Sequence, residues 1–109
     1  MKMTRLSTMK RDNILVAFLS RHRGADNCVS SKAVSEYLAE SGFPIQADAV
    51  NTLIRRVMFE RVLPICSING KGYFWAETQD EIRMAINELQ GRICEINNRI
   101  ELLNKFIFN

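Results

Sequence analysis

One stripe of side chains constrains this chain more than any other feature. Ile82, Ile86, Leu89, Ile93, Ile96, Ile100, Leu103 and Ile107 follow one another in alternating steps of four and three. Such steps hold apolar side chains on one face of an α-helix and repeat every seven residues, the spacing of a coiled-coil seam. Isoleucine fills every a position of that repeat, and Leu or Ile every d position. Thr78-Gln79-Asp80-Glu81 forms a capping box in front of it, so the seam predicts one long helix over 78–108. Ile at a favours two strands in parallel coils, and Ile at d blurs that preference. The flanking Arg83, Gln90, Arg92, Asn97, Arg99 and Asn104 provide almost no opposite-charge pairs, which leaves strand orientation open. The expectation is a homodimer through these eight residues; the competing one is a helix folded back on its own domain.

The residues ahead of the seam read differently. Met1 to about Thr8 has no apolar stripe, so residues 1–9 are expected to form a flexible arm whose Lys2 and Arg5 could touch phosphates. From about Met9 to Arg23, Ile14, Leu15, Phe18 and Leu19 recur at helical spacing, with Arg21, His22 and Arg23 in the last turn and Gly24 as the stop. Cys28-Val29 suits a brief strand. Ser30 or Ser31 can cap a second helix with Val34, Tyr37 and Leu38 inward, before Gly42 and Pro44 interrupt it. A third helix is expected from about Ala47 to Arg61, with Ala47, Val50, Ile54 and Val57 buried. Then Leu63 to Ile68 and Tyr73 to Trp75 flank Asn69-Gly70-Lys71-Gly72, two β-prone runs around a Gly-rich turn. Tyr73, Phe74 and Trp75 are expected to include core anchors.

Helix, helix, helix, hairpin is the plan of a winged helix, here over residues 10–76. Leu63-Pro64-Ile65-Cys66-Ser67 followed by Gly70-Lys71-Gly72-Tyr73 resembles the winged-helix DNA-binding module at the front of biotin operon repressors and in many small bacterial and phage regulators. The resemblance spans roughly Arg11 to Trp75, and its helix-turn-helix part, Val34 to Ile54, is the less specific. It implies sequence-specific binding to double-stranded DNA. Ligase activity and biotin binding are not carried over, because no segment is long enough for a ligase domain. The expected fold is therefore mainly α with a small β-hairpin, a winged helix-turn-helix plus a long C-terminal coiled-coil helix.

Charge agrees with that reading. Up to Trp75 there are eleven Lys and Arg against six Asp and Glu, and from Ala76 onward four against six. A basic front suits a polyanion, and an acidic tail suits a protein partner. Gln46, Asn51, Thr52 and Arg55 are the candidates to face the major groove, since Gln and Asn can pair bidentately with adenine and Arg with guanine. Arg56, Arg61 and Lys71 are candidate phosphate contacts, while Asp48 suits a helix N-terminus.

Other classes find little support. The longest apolar run, Ile14 to Leu19, is too short to cross a bilayer, and a cytoplasmic location is expected. Cys28, Cys66 and Cys94 lack paired spacing and His22 stands alone, so neither a metal nor a cofactor is expected. No nucleophile–base pair or phosphate loop marks an enzyme, and no small-molecule ligand or membrane contact is expected. The leading expectation is a dimeric transcriptional regulator of a bacterium or mobile element such as a phage. The alternatives are a replication or recombination accessory protein, or a winged helix used for protein contacts.

Overall fold

The computed structural model describes residues 3–107. Helix α1 (Arg5–Leu19) starts where the hydroxyl of Thr4 accepts a hydrogen bond from the Ser7 amide at 3.0 Å. The expected arm is therefore helical from Arg5 onward, because the Thr4 cap satisfies a first-turn amide that a stripe-based reading does not weigh. Lys2 lies outside the described residues. The helix also ends earlier than expected, at Leu19. The His22 carbonyl accepts from the Trp75 amide at 2.7 Å, and the Gly24 amide donates to the Trp75 carbonyl at 2.9 Å. Backbone groups engaged by a distant strand cannot continue a helix, so Arg21 to Arg23 leave α1 and His22 sits in the loop beyond it.

A single 3-10 turn, Ala25–Asn27, leads to α2 (Ser31–Glu40), where Ser30 Oγ accepts from the Ala33 amide at 3.1 Å. Helix α3 (Ala47–Arg61) has the expected bounds and closes on Val62, which takes a left-handed conformation at φ 56°. Strands β1 (Ile65–Ile68) and β2 (Gly72–Trp75) pair antiparallel, Ile65 opposite Trp75 and Ser67 opposite Tyr73. The other edge of β2 is also used: Val29 bridges Tyr73, and Arg23 bridges Trp75. The molecule is thus mainly helical with a small two-stranded antiparallel sheet.

Apolar faces explain the assembly of the front domain. Leu15 and Leu19 of α1, Val34 and Leu38 of α2, Val50, Leu53, Ile54 and Val57 of α3, and Ile65 of β1 are buried together with Val29. Leu53 replaces Ala47 in the α3 stripe, because Ala47 opens the first turn and stays exposed. The ring of Tyr37 stacks on Phe18 with centroids 4.1 Å apart, and both are half-buried. Tyr73 and Trp75 pack against the core, whereas Phe74 is buried on the opposite face of the strand.

Helix α4 (Gln79–Asn104) follows directly, opened by the Thr78–Glu81 capping box. Its 26 residues extend about 39 Å. Glu81 anchors it: one carboxylate oxygen accepts from the Glu77 and Thr78 amides, and the other from the Ala25 amide at 2.6 Å. The helix stops four residues short of the expected end, as Lys105 and Phe106 close tighter turns on Leu102 and Leu103. Ile107 lies beyond it. No residue of α4 is buried, and every seam residue is exposed, from Ile82 at 37% to Ile107 at 68%. The seam is not folded onto its own domain.

Candidate nucleic-acid interface

Helix α3 has two unlike sides. Val50, Leu53, Ile54 and Val57 are consumed by the core, which turns Gln46, Thr52 and Arg55 outward, all exposed. Gln46 occupies the N-cap position without a side-chain capping bond, and Asp48 lies in the first turn, where a carboxylate suits the helix dipole. Arg55 lines a groove of about 270 Å³ between α3, the hairpin and α4.

Asn51 does something its sequence position did not suggest. Its Oδ1 accepts hydrogen bonds from Ser31 Oγ at 3.0 Å and from the Tyr73 hydroxyl. An amide oxygen has two lone pairs, and both are engaged. Asn51 as placed here clamps α2, α3 and the hairpin through the oxygen that bidentate pairing with adenine would use. Burial pushes the Tyr73 hydroxyl above its ordinary pKa, opposed by the positive charge of Arg55, so the phenol stays a donor to Asn51 at neutral pH.

Arg56 is also committed internally. It donates to Glu60 at 2.8 Å and to both oxygens of Asp12, at 3.2 and 3.3 Å, and Asp12 is buried at 4% exposure. This ties α3 to α1, an engagement the reading of Arg56 as a phosphate contact did not include. Arg61 likewise donates to Asn13 at 2.8 Å. Both partners lie more than forty residues away in sequence, beyond the reach of any local pattern.

The hairpin turn carries Lys71, exposed, between Gly70 at φ 82° and Gly72 at φ 118°. Gly72 serves more than the turn, because a Cβ there would stand 2.1 Å from the Val29 carbonyl oxygen. The absence of that carbon lets β2 approach Val29 and fixes the hairpin against the helices. Below the turn lies a concave polar surface of about 340 Å³, bordered by Ser30, Ser31, Asn51, Lys71 and Arg92. Arg92 belongs to α4 and pairs with Glu88 at 2.6 Å. Its heptad position reads only as a coil flank; the register with which α4 leaves the hairpin brings it beside the turn.

The structure therefore groups Asn51, Arg55, Lys71 and Arg92 around the α3–hairpin side, leaves Gln46 and Thr52 exposed on α3, and directs Arg56 and Arg61 to α1. Among the described residues, no group of three or more His, Cys, Asp or Glu is placed to hold a metal, and no helix is long and apolar enough to cross a membrane. The three cysteines are free thiols, and burial pushes those of Cys28 and Cys66 up, away from the reactive thiolate. Comparison with protein families, with curated proteins and with solved structures returns no match to this chain.

Proposed function

We propose that this chain binds double-stranded DNA as a homodimer, with α2 and α3 acting as a helix-turn-helix and the β1–β2 hairpin as its wing. The observation that carries the reading is the division of α3: one face buried in the core, the other presenting exposed Thr52 and Arg55, with Asn51 of the same helix bordering the turn that displays Lys71. A helix so mounted can enter the major groove, where base edges differ in donor and acceptor pattern. Lys71 and the serines at the start of α2 supply phosphate contacts, which fix register without reading sequence. The order of three helices and a hairpin, with Val29 adding a short third bridge to β2, also supports a winged helix. Transcriptional regulation in a bacterium or phage is the role that best suits a small dimeric binder of this kind.

Fluorescence anisotropy on labelled duplexes tests the reading. Contact with about six to ten phosphates makes affinity fall by roughly three to five orders of magnitude between 50 and 200 mM salt. Selection from a random duplex pool then yields a defined motif repeated with two-fold symmetry. No duplex binding at 50 mM salt, or binding indifferent to salt, would overturn the proposal.

A further inference from the structure

Charge does not choose an orientation for the α4 pair. Parallel pairing sets Arg92 and Arg99 against asparagines, and antiparallel pairing sets them against each other. Glu88 and Glu95 hold both arginines in pairs along the helix at 2.6 Å, so neither arrangement leaves an unbalanced edge. The choice falls to the apolar surface outside the seam.

That surface is unevenly distributed. At the domain end of α4, Ala85 and Leu89 form one wall of the groove whose other wall is Ile54, Met58 and Phe59 of α3. Phe59 is 77% exposed. At the far end, Leu102 and Phe106 are exposed at 54% and 61% although neither belongs to the seam. Ala85, Arg92 and Arg99 occupy the g edge, the edge that faces α3, and Arg83, Gln90, Asn97 and Asn104 occupy the e edge; Phe106, in the turn just past the helix end, takes the next g position of the sequence repeat.

In a parallel coil each g edge lies against the partner's e edge at the same level. The groove would then receive Arg83 and Gln90 of the second copy, a cation and an amide against Met58 and Phe59. Leu102 and Phe106 would remain in water about three helical turns from either domain. In an antiparallel coil g lies against g. Leu103 of one chain then stands opposite Ile86 of the other, Ile100 opposite Leu89, and Ile96 opposite Ile93, all seam residues. That register carries the C-terminal turn with Phe106 to the level of Ala85, a large side chain beside a small one, on the side where the groove opens.

We propose that two copies pair through α4 in antiparallel orientation, and that the C-terminal end of each helix, with Leu102 and Phe106, fills the groove between α3 and α4 of the other. The occupant is a second copy of this chain. The inference rests on the self-association in the function proposed above; Arg55 borders the same groove, so docking and DNA contact meet at that residue, and the test is read without DNA. It gives the coil a fixed direction and makes α3 part of the dimer interface.

The test uses the full chain carrying Cys94→Ser with Ile86→Cys and Leu103→Cys. Mild oxidation followed by peptide mapping should show 86–103 links between chains. Links of 86 to 86 and 103 to 103 indicate a parallel coil and overturn the proposal, as does a sedimenting dimer that forms no 86–103 link. The groove is tested separately by Phe59→Ser, whose side chain is exposed in the single chain, and by Phe106→Glu. Each should raise the dimer dissociation constant at least tenfold in sedimentation equilibrium while the circular dichroism of the fold is retained. An unchanged constant for Phe59→Ser overturns groove docking. A wild-type chain that sediments as a monomer at micromolar concentration overturns the whole arrangement, whereas loss of duplex binding by an intact antiparallel dimer overturns only the DNA reading.

Discussion

Gly72 and Val62 occupy the same forbidden half of backbone space for opposite reasons. At Gly72 the fold needs the missing side chain, since any Cβ meets the Val29 carbonyl. Gly72→Ala should destabilise the domain by at least about 2 kcal/mol, combining backbone strain with a clash that only strand displacement relieves. Urea denaturation followed by tryptophan fluorescence reads this directly through Trp75. Val62 is a β-branched residue in a left-handed conformation with 87% of its surface exposed. Val62→Gly should therefore stabilise the isolated chain by about 1 kcal/mol, seen as a higher denaturation midpoint. Arg55 and Arg56, adjacent in sequence, should part company in the same way. Arg55→Ala should cost about 1–3 kcal/mol on the preferred duplex and relax one base position, with stability unchanged. Arg56→Ala instead leaves the buried Asp12 carboxylate with Arg11, at 3.4 Å, as its ion-pair partner among the described residues, and should lower stability by about 1–2 kcal/mol. Equal DNA-binding losses for both variants would show that the α3 face is wrongly assigned.

Among the elements, the start of α4 is the best-defined joint. Glu81 gathers three backbone amides from Ala25, Glu77 and Thr78, and those hydrogen bonds hold its carboxyl below the ordinary carboxylate range. A lowered folded-state pKa means stability that is fully present above the unfolded value and is lost as pH falls through the folded one. Thermal melts of the wild type should therefore decline below about pH 4.5, and Glu81→Gln should be less stable at neutral pH with a shallower acid decline. An identical acid limb in the variant would count against this joint. The capping box itself was legible, because Thr78 and Glu81 are three residues apart. The bond to Ala25 was not, since it closes a loop of more than fifty residues. The same divide runs through the fold. Bounds of α3 and the place of the hairpin turn follow from local periodicity and turn chemistry, although β1 starts at Ile65, two residues inside the expected run from Leu63. Both ends of α1 do not: Thr4 caps a segment without an apolar stripe, and β2 captures the backbone at His22 and Gly24. Within the candidate site, the outward placement of Thr52 and Arg55 follows from helix phase, and the exposure of Lys71 from its place in the turn. The internal hydrogen bonds of Asn51 and Arg56 were not legible, because their partners, Tyr73 and Asp12, are distant in sequence.

For the whole molecule, the exposed α4 seam sets the behaviour. Each Ile or Leu removed from water is worth about 1.5–3 kcal/mol, and none of the eight is buried within the single chain. Ile93→Asp with Ile100→Asp places two charges where pairing would bury them without partners. That variant should sediment as a monomer, keep a folded front domain, bind a half-site as the parent does, and lose most of its affinity for a full two-fold site. Full-site affinity that survives in a monomeric variant would detach dimerisation from DNA recognition. A helix that fully buries none of its side chains also makes dosage matter. If only the pair occupies a full site, the active species at low expression rises with the square of chain number, so halving the supply cuts occupancy about fourfold. Such a protein would act as a threshold device, switched by its own synthesis and turnover.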